Sequence, residues 1–464
     1  MIRAVLLSGV LAISVSSLYA DESTQGNRWV LNLDAAVNAA QLNDPWLVGN
    51  QHSQDAVDAL SISAGTLPDP KMSIGMANLP MDTFNFDQEG MTQFKVGISQ
   101  MFPRGDSLSI RQQQLQLMGT QYPYQRENRK ARIVVTVSQL WLDAYKAQES
   151  IALIDKNRDL FEQLADVAQA SYSSALGRTR QQDIVRAQLE LTRLDDRLTV
   201  LHQHQEMSLQ RLSEWLSDSF VDQYSKNTGI GQFLLSSGFS LSRQLPDTGL
   251  LNPQLYTTTT TVDPSVLLGY FSRHPAVMTL KQKIKASRAG IELARQKYKP
   301  AWGLNAGYGY RSDTPVGNNR ADLFSLGVSF DLPVFTAKRQ DKQLQSAVSR
   351  TEAVKTEEWL LLRKLMASFE TSRAKLQRLN ERKTLYQGRL LPQMHEQADA
   401  SLTAYTNDDG DFSEVVRARI AELNAEIDEL IINVERQRAI IQLNYFFETS
   451  VDAVTADDHR MGDK

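Results

Sequence analysis

The sequence predicts a mixed α/β membrane protein of two structural repeats, each a strand pair followed by a long helical coiled-coil hairpin. Three observations carry that prediction. Pro45, Pro70 and Pro103 return as Pro275, Pro300 and Pro333, each 230 residues further on. Short segments near 71–102 and 302–332 alternate apolar and polar residues, the period of a strand with two unlike faces. Later segments carry apolar residues at heptad spacing, the seam of helices that pack on one another.

Composition removes several classes of function. The 464 residues carry a net charge of −4 and no cysteine. A slightly acidic chain lacks the basic footprint of a nucleic-acid binder, so no nucleic-acid partner is expected. Without cysteine there is no disulfide, thiolate metal site, cysteine nucleophile or acylated N-terminal cysteine. A mean hydropathy of −0.36 excludes a polytopic helical membrane protein.

Residues 1–20 have the layout of a cleavable secretory signal: Arg3, an apolar run from Ala4 to Val15, then Leu18-Tyr19-Ala20 before Asp21-Glu22. No later stretch reaches ~18 uncharged apolar residues, so any membrane insertion has to use strands. The first repeat occupies 21–216, its repeating pattern starting near 31, and the second 263–448. Between them, 217–262 is rich in Ser, Gly and Thr and reads as a linker. Residues 449–464 form a C-terminal tail.

Each repeat opens with a helical segment, Leu33–Ala64 and Val266–Lys299. Strand pairs follow at 71–102 and 302–332. In Phe324-Ser325-Leu326-Gly327-Val328-Ser329-Phe330 one face is apolar and the other is Ser and Gly. Phe94, Gly97 and Ser99 recur as Phe324, Gly327 and Ser329. Loops at 80–92 and 311–322 are polar and rich in turn formers.

Helical hairpins are predicted at 106–216 and 336–448. Val137, Trp141, Ala144, Ile151, Ile154, Phe161, Leu164 and Ala168 mark the outgoing helix of the first. Ile184, Ala187, Leu191, Leu194, Leu198 and Leu201 mark its return. Ile420, Leu423, Ile427, Leu430, Val434 and Ile441 mark the return of the second. Tyr172 and Gly177 recur as Tyr405 and Gly410. The hairpin turns fall at these glycines, which are expected to take the left-handed C-cap geometry.

Four amphipathic strands cannot close a barrel, and an open edge in lipid is prohibitively costly. Either several subunits share one barrel, or the four strands form a soluble sheet with its apolar face on a helix.

The order of these segments and their duplication resemble the TolC family of outer membrane factors. The closest local match is Tyr172-Ser173-Ser174-Ala175-Leu176-Gly177-Arg178-Thr179-Arg180-Gln181-Gln182-Asp183, similar to the first hairpin tip of the family, particularly its heavy-metal efflux branch. Its counterpart runs from Tyr405 through Gly410-Asp411-Phe412 to Arg419, and the strand end Phe102-Pro103-Arg104-Gly105 also resembles the family. The resemblance covers about 31–448. It implies a homotrimer with a twelve-stranded β-barrel in the outer membrane and a twelve-helix α-barrel through the periplasm. It also implies docking to a periplasmic adaptor and an inner-membrane pump, in a passive duct for substrates such as metal cations or drugs. The absent N-terminal cysteine departs from many relatives.

No catalytic, cofactor-binding or metal site is expected: a Walker A loop, His-Glu-x-x-His and Gly-x-Ser-x-Gly are all missing. His202 and His204, two apart on a helix, point to different faces. Met72, Met76, Met81, Met91 and Met101 offer soft-metal ligands, or simply lipid-facing and barrel packing. Asp408, Asp409 and Asp411 surround the second tip. They form either a solvated turn or, with three tips converging, a carboxylate ring that favours cations and gates the periplasmic mouth. Gly177, Arg178 and Thr179, with Gly410, Asp411 and Phe412, are the tip residues expected to contact the adaptor. A coiled-coil adaptor or scaffold without a barrel is the competing reading, and a secreted hydrolase a third. Neither needs a duplicated set of amphipathic strands.

Overall fold

A computed structural model describes residues 30–173, 181–216, 240–256, 262–407 and 409–449. The signal segment 1–20, part of the linker 217–262 and nearly all of the tail 449–464 lie outside the described residues.

The first half runs β1 (Val30–Leu31), α1 (Leu33–Leu42), α2 (Pro45–Ala64), β2 (Lys71–Ala77), β3 (Gln93–Phe102), α3 (Ser107–Gly119), α4 (Gln121–Ser173) and α5 (Gln181–Leu216). After β4 (Ser240–Leu241) come α6 (Pro264–Phe271), α7 (Pro275–Gln296), β5 (Trp302–Tyr310) and β6 (Leu323–Phe330). The last elements are α8 (Gln340–Leu385), a π turn (Tyr386–Leu390), α9 (Leu391–Thr406) and α10 (Phe412–Tyr445).

The recurring prolines have a structural reason. Pro45 and Pro275 stand in the first turns of α2 and α7, where a missing N–H costs nothing. Asp44 caps α2 by accepting from the Trp46 amide at 3.2 Å, and His274 caps α7 by accepting from the Ala276 amide at 3.2 Å. These caps correct the expectation of single helices over Leu33–Ala64 and Val266–Lys299. Each lead-in is two helices, broken at Asn43–Asp44 and at Ser272–His274. A side-chain cap followed by proline stops the preceding helix from running through.

β2, β3, β5 and β6 form one antiparallel sheet in that order. The central β3–β5 pairing joins the two halves, from Phe94 opposite Tyr310 to Phe102 opposite Trp302. Each strand continues into a helix, and the helices pack in the same order, α2 on α3, α3 on α7, α7 on α8. A four-strand layer thus passes into a four-helix layer without a change of neighbours.

The long helices extend away from this layer. At ~1.5 Å per residue, α4 spans about 80 Å, and α8 through α9 about 100 Å. Pro392, in the first turn of α9, can neither donate backward nor avoid the preceding turn's carbonyl. The π turn directly before it widens the helix and lets the two segments run on. Ile184, Ala187, Leu194 and Leu198 are buried, as are Leu423, Ile427 and Val434, so the heptad seams face the neighbouring helices.

Two apolar clusters sit midway along the chain. One gathers α1, α4, α5 and β4 around Trp141, whose indole N–H donates to the Leu31 carbonyl at 3.1 Å. The other gathers α6, α7, α8 and α10 around Phe271, Phe369 and Phe446. Part of the segment read as linker belongs here: Leu241 is buried in the first cluster, and Leu250, Leu255 and Val262 pack on the second. Beside the first, Arg129 holds Asp44 through two hydrogen bonds of 2.7 and 3.2 Å. Its guanidinium lies 5.6 Å from the Trp46 ring and 5.2 Å from the Trp215 ring. Asp44 is buried, so this bidentate pair meets a charge that water does not reach.

His274 is fully buried, and burial pulls its imidazole down to about 4. Nδ1 accepts from the Ala276 amide, so Nε2 carries the proton that it donates to the Tyr445 carbonyl at 3.1 Å. The ring is therefore neutral with a fixed tautomer, a structural tie between α7 and α10.

Candidate functional site

Two regions carry the chemistry of this fold, the sheet at one end and the hairpin tips at the other. In the sheet, strands of 7, 10, 9 and 8 residues bring alternate residues onto opposite faces. One row runs Ile74, Val96, Tyr308, Phe324 across all four strands. The adjacent row on the other face runs Ser73, Gly97, Gly307, Ser325, and the next runs Lys71, Ser99, Asn305, Gly327. Among the described residues no helix covers the apolar face: Phe324 is 73% exposed and Leu326 68%. A soluble sheet buries such a face on a helix, and no described helix lies against it. Met72 and Met76 lie on this face and are exposed with it. Aromatic residues flank both ends. Trp302 packs on Phe330 at 5.0 Å at the helix end, and Tyr310 stacks with Phe86 at 6.2 Å at the loop end.

The Phe102-Pro103-Arg104-Gly105 turn fastens sheet to helices. Gly105 has φ +47°, which suits a residue without Cβ. Arg104 donates to the carbonyls of Lys297 and Lys299 at 3.2 and 3.0 Å and pairs with Asp331. Asp331 in turn accepts from the Ala301 amide at 2.7 Å. The end of β3 is thereby tied to the start of β5 and the end of β6.

At the other end, Gly177, Arg178, Thr179 and Asp408 lie outside the described residues. The second tip is described except at 408. Asn407 ends α9 at φ −92°, and the Asp409 amide donates to the Ala404 carbonyl at 2.9 Å. Gly410 does not take the expected left-handed conformation. A Cβ there would sit 2.7 Å from the Tyr405 nitrogen and 2.9 Å from the Ala404 carbonyl carbon. Close backbone approach, rather than a positive φ, requires glycine at this turn. Asp411 caps α10, accepting from the Ser413 amide at 3.1 Å. Asp409 is exposed, with no side-chain partner among the described residues.

Phe412 corrects the expectation of an exposed contact residue. It is 2% exposed, with its ring 5.5 Å from Tyr405. With Val415 and Val416 it packs on Ala168, Ile184 and Ala187 from α4 and α5. The helix ends of both hairpins therefore share one apolar cluster, and Phe412 is its core rather than its surface.

Further along the second hairpin, α9 and α10 are joined by a polar ring that sequence reading missed. His395 Nδ1 lies 2.6 Å from Glu422, and Nε2 lies 3.2 Å from Asp399. Arg419 closes the ring, 2.7 Å from Asp399 and 2.8 Å from Glu422. The spacings His395–Asp399 and Arg419–Glu422 are ordinary helix pairs, and only the pairing of α9 with α10 unites them. The hydrogen bond to Glu422, with the charge of Asp399, holds the imidazole pKa above its usual 6.5, against opposition from Arg419. The sign follows directly. A raised value means the bridge is fully present below the unfolded pKa and is lost as pH rises through the folded one. Amide hydrogen exchange across 395–422 is expected to be slower at about pH 6 than at about pH 8.5 after correction for intrinsic rates, with His395→Gln abolishing the difference. Equal protection at both pH values in the unaltered protein would remove any role for the imidazolium.

No helix among the described residues is long and apolar enough to cross a membrane. No protein-family model matches the chain, and no curated protein matches it. Solved structures do. The outer-membrane channel OprN superposes with a TM-score of 0.70 at 15% identity, covering 90% of each chain. CusC, solved in a study of folding and transmembrane channel formation, gives 0.68 at 15%, covering 94% of this chain and 96% of that one. The CmeC outer membrane channel of Campylobacter jejuni gives 0.69 at 12%, covering 92% and 88%. At these identities the likeness is one of fold, and it runs nearly end to end in both chains. On that ground the chain has the fold of these outer-membrane channels, and its resemblance to the TolC family extends from the repeats in its sequence to the whole of its described structure.

Proposed function

We propose that this protein is the outer-membrane channel of a tripartite efflux or export system. Three copies would form a passive duct, with a twelve-stranded barrel in outer-membrane lipid and a twelve-helix barrel in the periplasm. The observation that carries the reading is the open sheet: among the described residues its apolar face is bare and its outer strands β2 and β6 have no partner on their far sides. In lipid such edges must be paired, so β6 of one copy meets β2 of the next. The helix layer, ordered like the sheet, would close with it. Residues 1–20 direct export.

The tips meet a periplasmic adaptor at Gly177, Arg178, Thr179, Gly410 and Asp411, and the inner-membrane pump supplies cargo such as drugs or metal cations. Asp408, Asp409 and Asp411 ring the resting mouth. Of the two described members, Asp409 has a carboxylate with no described partner, whereas Asp411 also caps α10. Fractionation and gel migration test the whole. The expected result is an outer-membrane trimer that migrates as a trimer unheated and as a monomer after boiling. A soluble periplasmic monomer would favour the adaptor or scaffold reading.

A further inference from the structure

The polar face of the sheet carries a charge pattern that the duct reading does not require. Two lysines stand on it, Lys71 on β2 and Lys95 on β3. Every other residue of that face within the strands is uncharged, chiefly Gly, Ser, Gln and Asn. Both lysines are exposed, and neither forms an ion pair among the described residues. Lys95 sits between Gly75 on β2 and Gly309 on β5, and the one side chain lying over Gly309 is the uncharged Gln93. At the helix end, Asp331 is paired with Arg104, and Asp69, two residues before Lys71, is exposed just outside β2.

We infer that Lys71 and Lys95 make the barrel interior attractive to anions, and that organic anions, rather than bare metal cations, are the cargo class this half of the duct admits most readily. The inference rests on the duct reading, in which the polar face becomes the lumen. Three copies would place six ammonium groups in one enclosed channel whose strands carry no opposing charge, the carboxylates Asp69 and Asp331 standing at its helix end. An aqueous lumen with low-dielectric walls concentrates the field of such groups, raising the local concentration of anions and lowering that of cations. The loops beyond oppose this weakly. Asp82, Asp87 and Glu89 lie at the outer mouth, while Arg311 and Arg320 balance Asp313 and Asp322. Asp82, Glu89, Asp313 and Asp322 are exposed, where salt screens them within about 8–10 Å, while Asp87, Arg311 and Arg320 are half-buried among the loops. The acidic second tip lies at the far end of the helices, in series with the barrel rather than inside it.

The experiment is single-channel recording of the purified trimer in a planar bilayer under a KCl gradient. Tripolyphosphate is then added on the loop side. The unaltered channel is expected to show block by tripolyphosphate that weakens at high salt. The double variant Lys71→Gln, Lys95→Gln should lose the block. Its reversal potential should move toward cations by about a twofold change in permeability ratio or more. Lys95→Arg, which keeps the charge, should retain both properties. Conducting channels in which neither reversal potential nor block changes would overturn the inference and leave the duct intact. A correctly folded trimer without any step conductance would overturn the duct reading, and this inference with it.

Discussion

Val328→Arg is expected to abolish most of the outer-membrane trimer, whereas Ser329→Arg, one residue along the same strand, leaves it assembled. Val328 lies on β6 opposite Leu304, on the apolar face, and is 62% exposed there. Ser329 lies opposite Gly303 on the polar face. An arginine facing lipid costs ~2–4 kcal/mol at the bilayer midplane and ~0–1 near its edges. Position 328, two residues from the end of β6, falls between, at ~2 kcal/mol per copy. A closed trimer would bear that cost three times, ~6 kcal/mol, comparable with a typical net stability. An arginine at 329 would point into water. The check is the yield of heat-modifiable trimer in outer membranes. Equal loss in both variants would contradict the assignment of faces.

Phe412→Ala is expected to melt the second tip while the sheet and mid-chain clusters stay folded. The ring is buried among residues of both hairpins, and removing a buried phenylalanine costs ~3–5 kcal/mol. The described tip is a thin structure, held by one apolar cluster, the Asp411 cap and the Asp409–Ala404 backbone bond. It has no second core to fall back on. Amide exchange over 402–420 should rise by two or more decades, about 1.4 kcal/mol per decade, while the segment around Trp141 is unchanged. Asp409→Asn, altering an exposed side chain without a described partner, should leave exchange as it was. Unaltered exchange in Phe412→Ala would show that the ring is not the tip's core.

Much of this fold is written in local pattern, and what is not written there has a physical explanation. Phe324-Ser325-Leu326-Gly327-Val328 alternates because its strand has two unlike surroundings, and the structure places β6 over Leu323–Phe330. The heptad residues of α5 and α10 are buried or half-buried against neighbouring helices because long helices have only one another to pack on. Breaks in helices were harder to see. Asn43-Asp44-Pro45 contains both cap and proline, yet the apolar period continues across it. The π turn at Tyr386 is legible only once Pro392 is known to lie within a helix. The β3–β5 pairing joins residues about 200 positions apart, which no local period can report. At the tip, Gly410 was the right residue for a turn, but its need for glycine comes from the nearness of the Ala404–Tyr405 backbone. The burial of Phe412 likewise depends on α4 and α5, far away in sequence.

The two unpaired sheet edges also set a condition on assembly. β2 and β6 are different strands, so in the proposed ring one copy would join the next head to tail, a heterologous contact rather than a self-complementary one. Such contacts do not by themselves define a number of subunits. They close into a ring only if the turn contributed by each copy divides the circle, and otherwise they extend as an open ribbon. The turn per copy is fixed by the twist of the sheet and by the matching order of α2, α3, α7 and α8 beneath it. In the proposed assembly closure would then be a geometric property of a single chain, legislated by its curvature before any second copy arrives, and a change that flattens this layer would yield ribbons of indefinite length in place of rings.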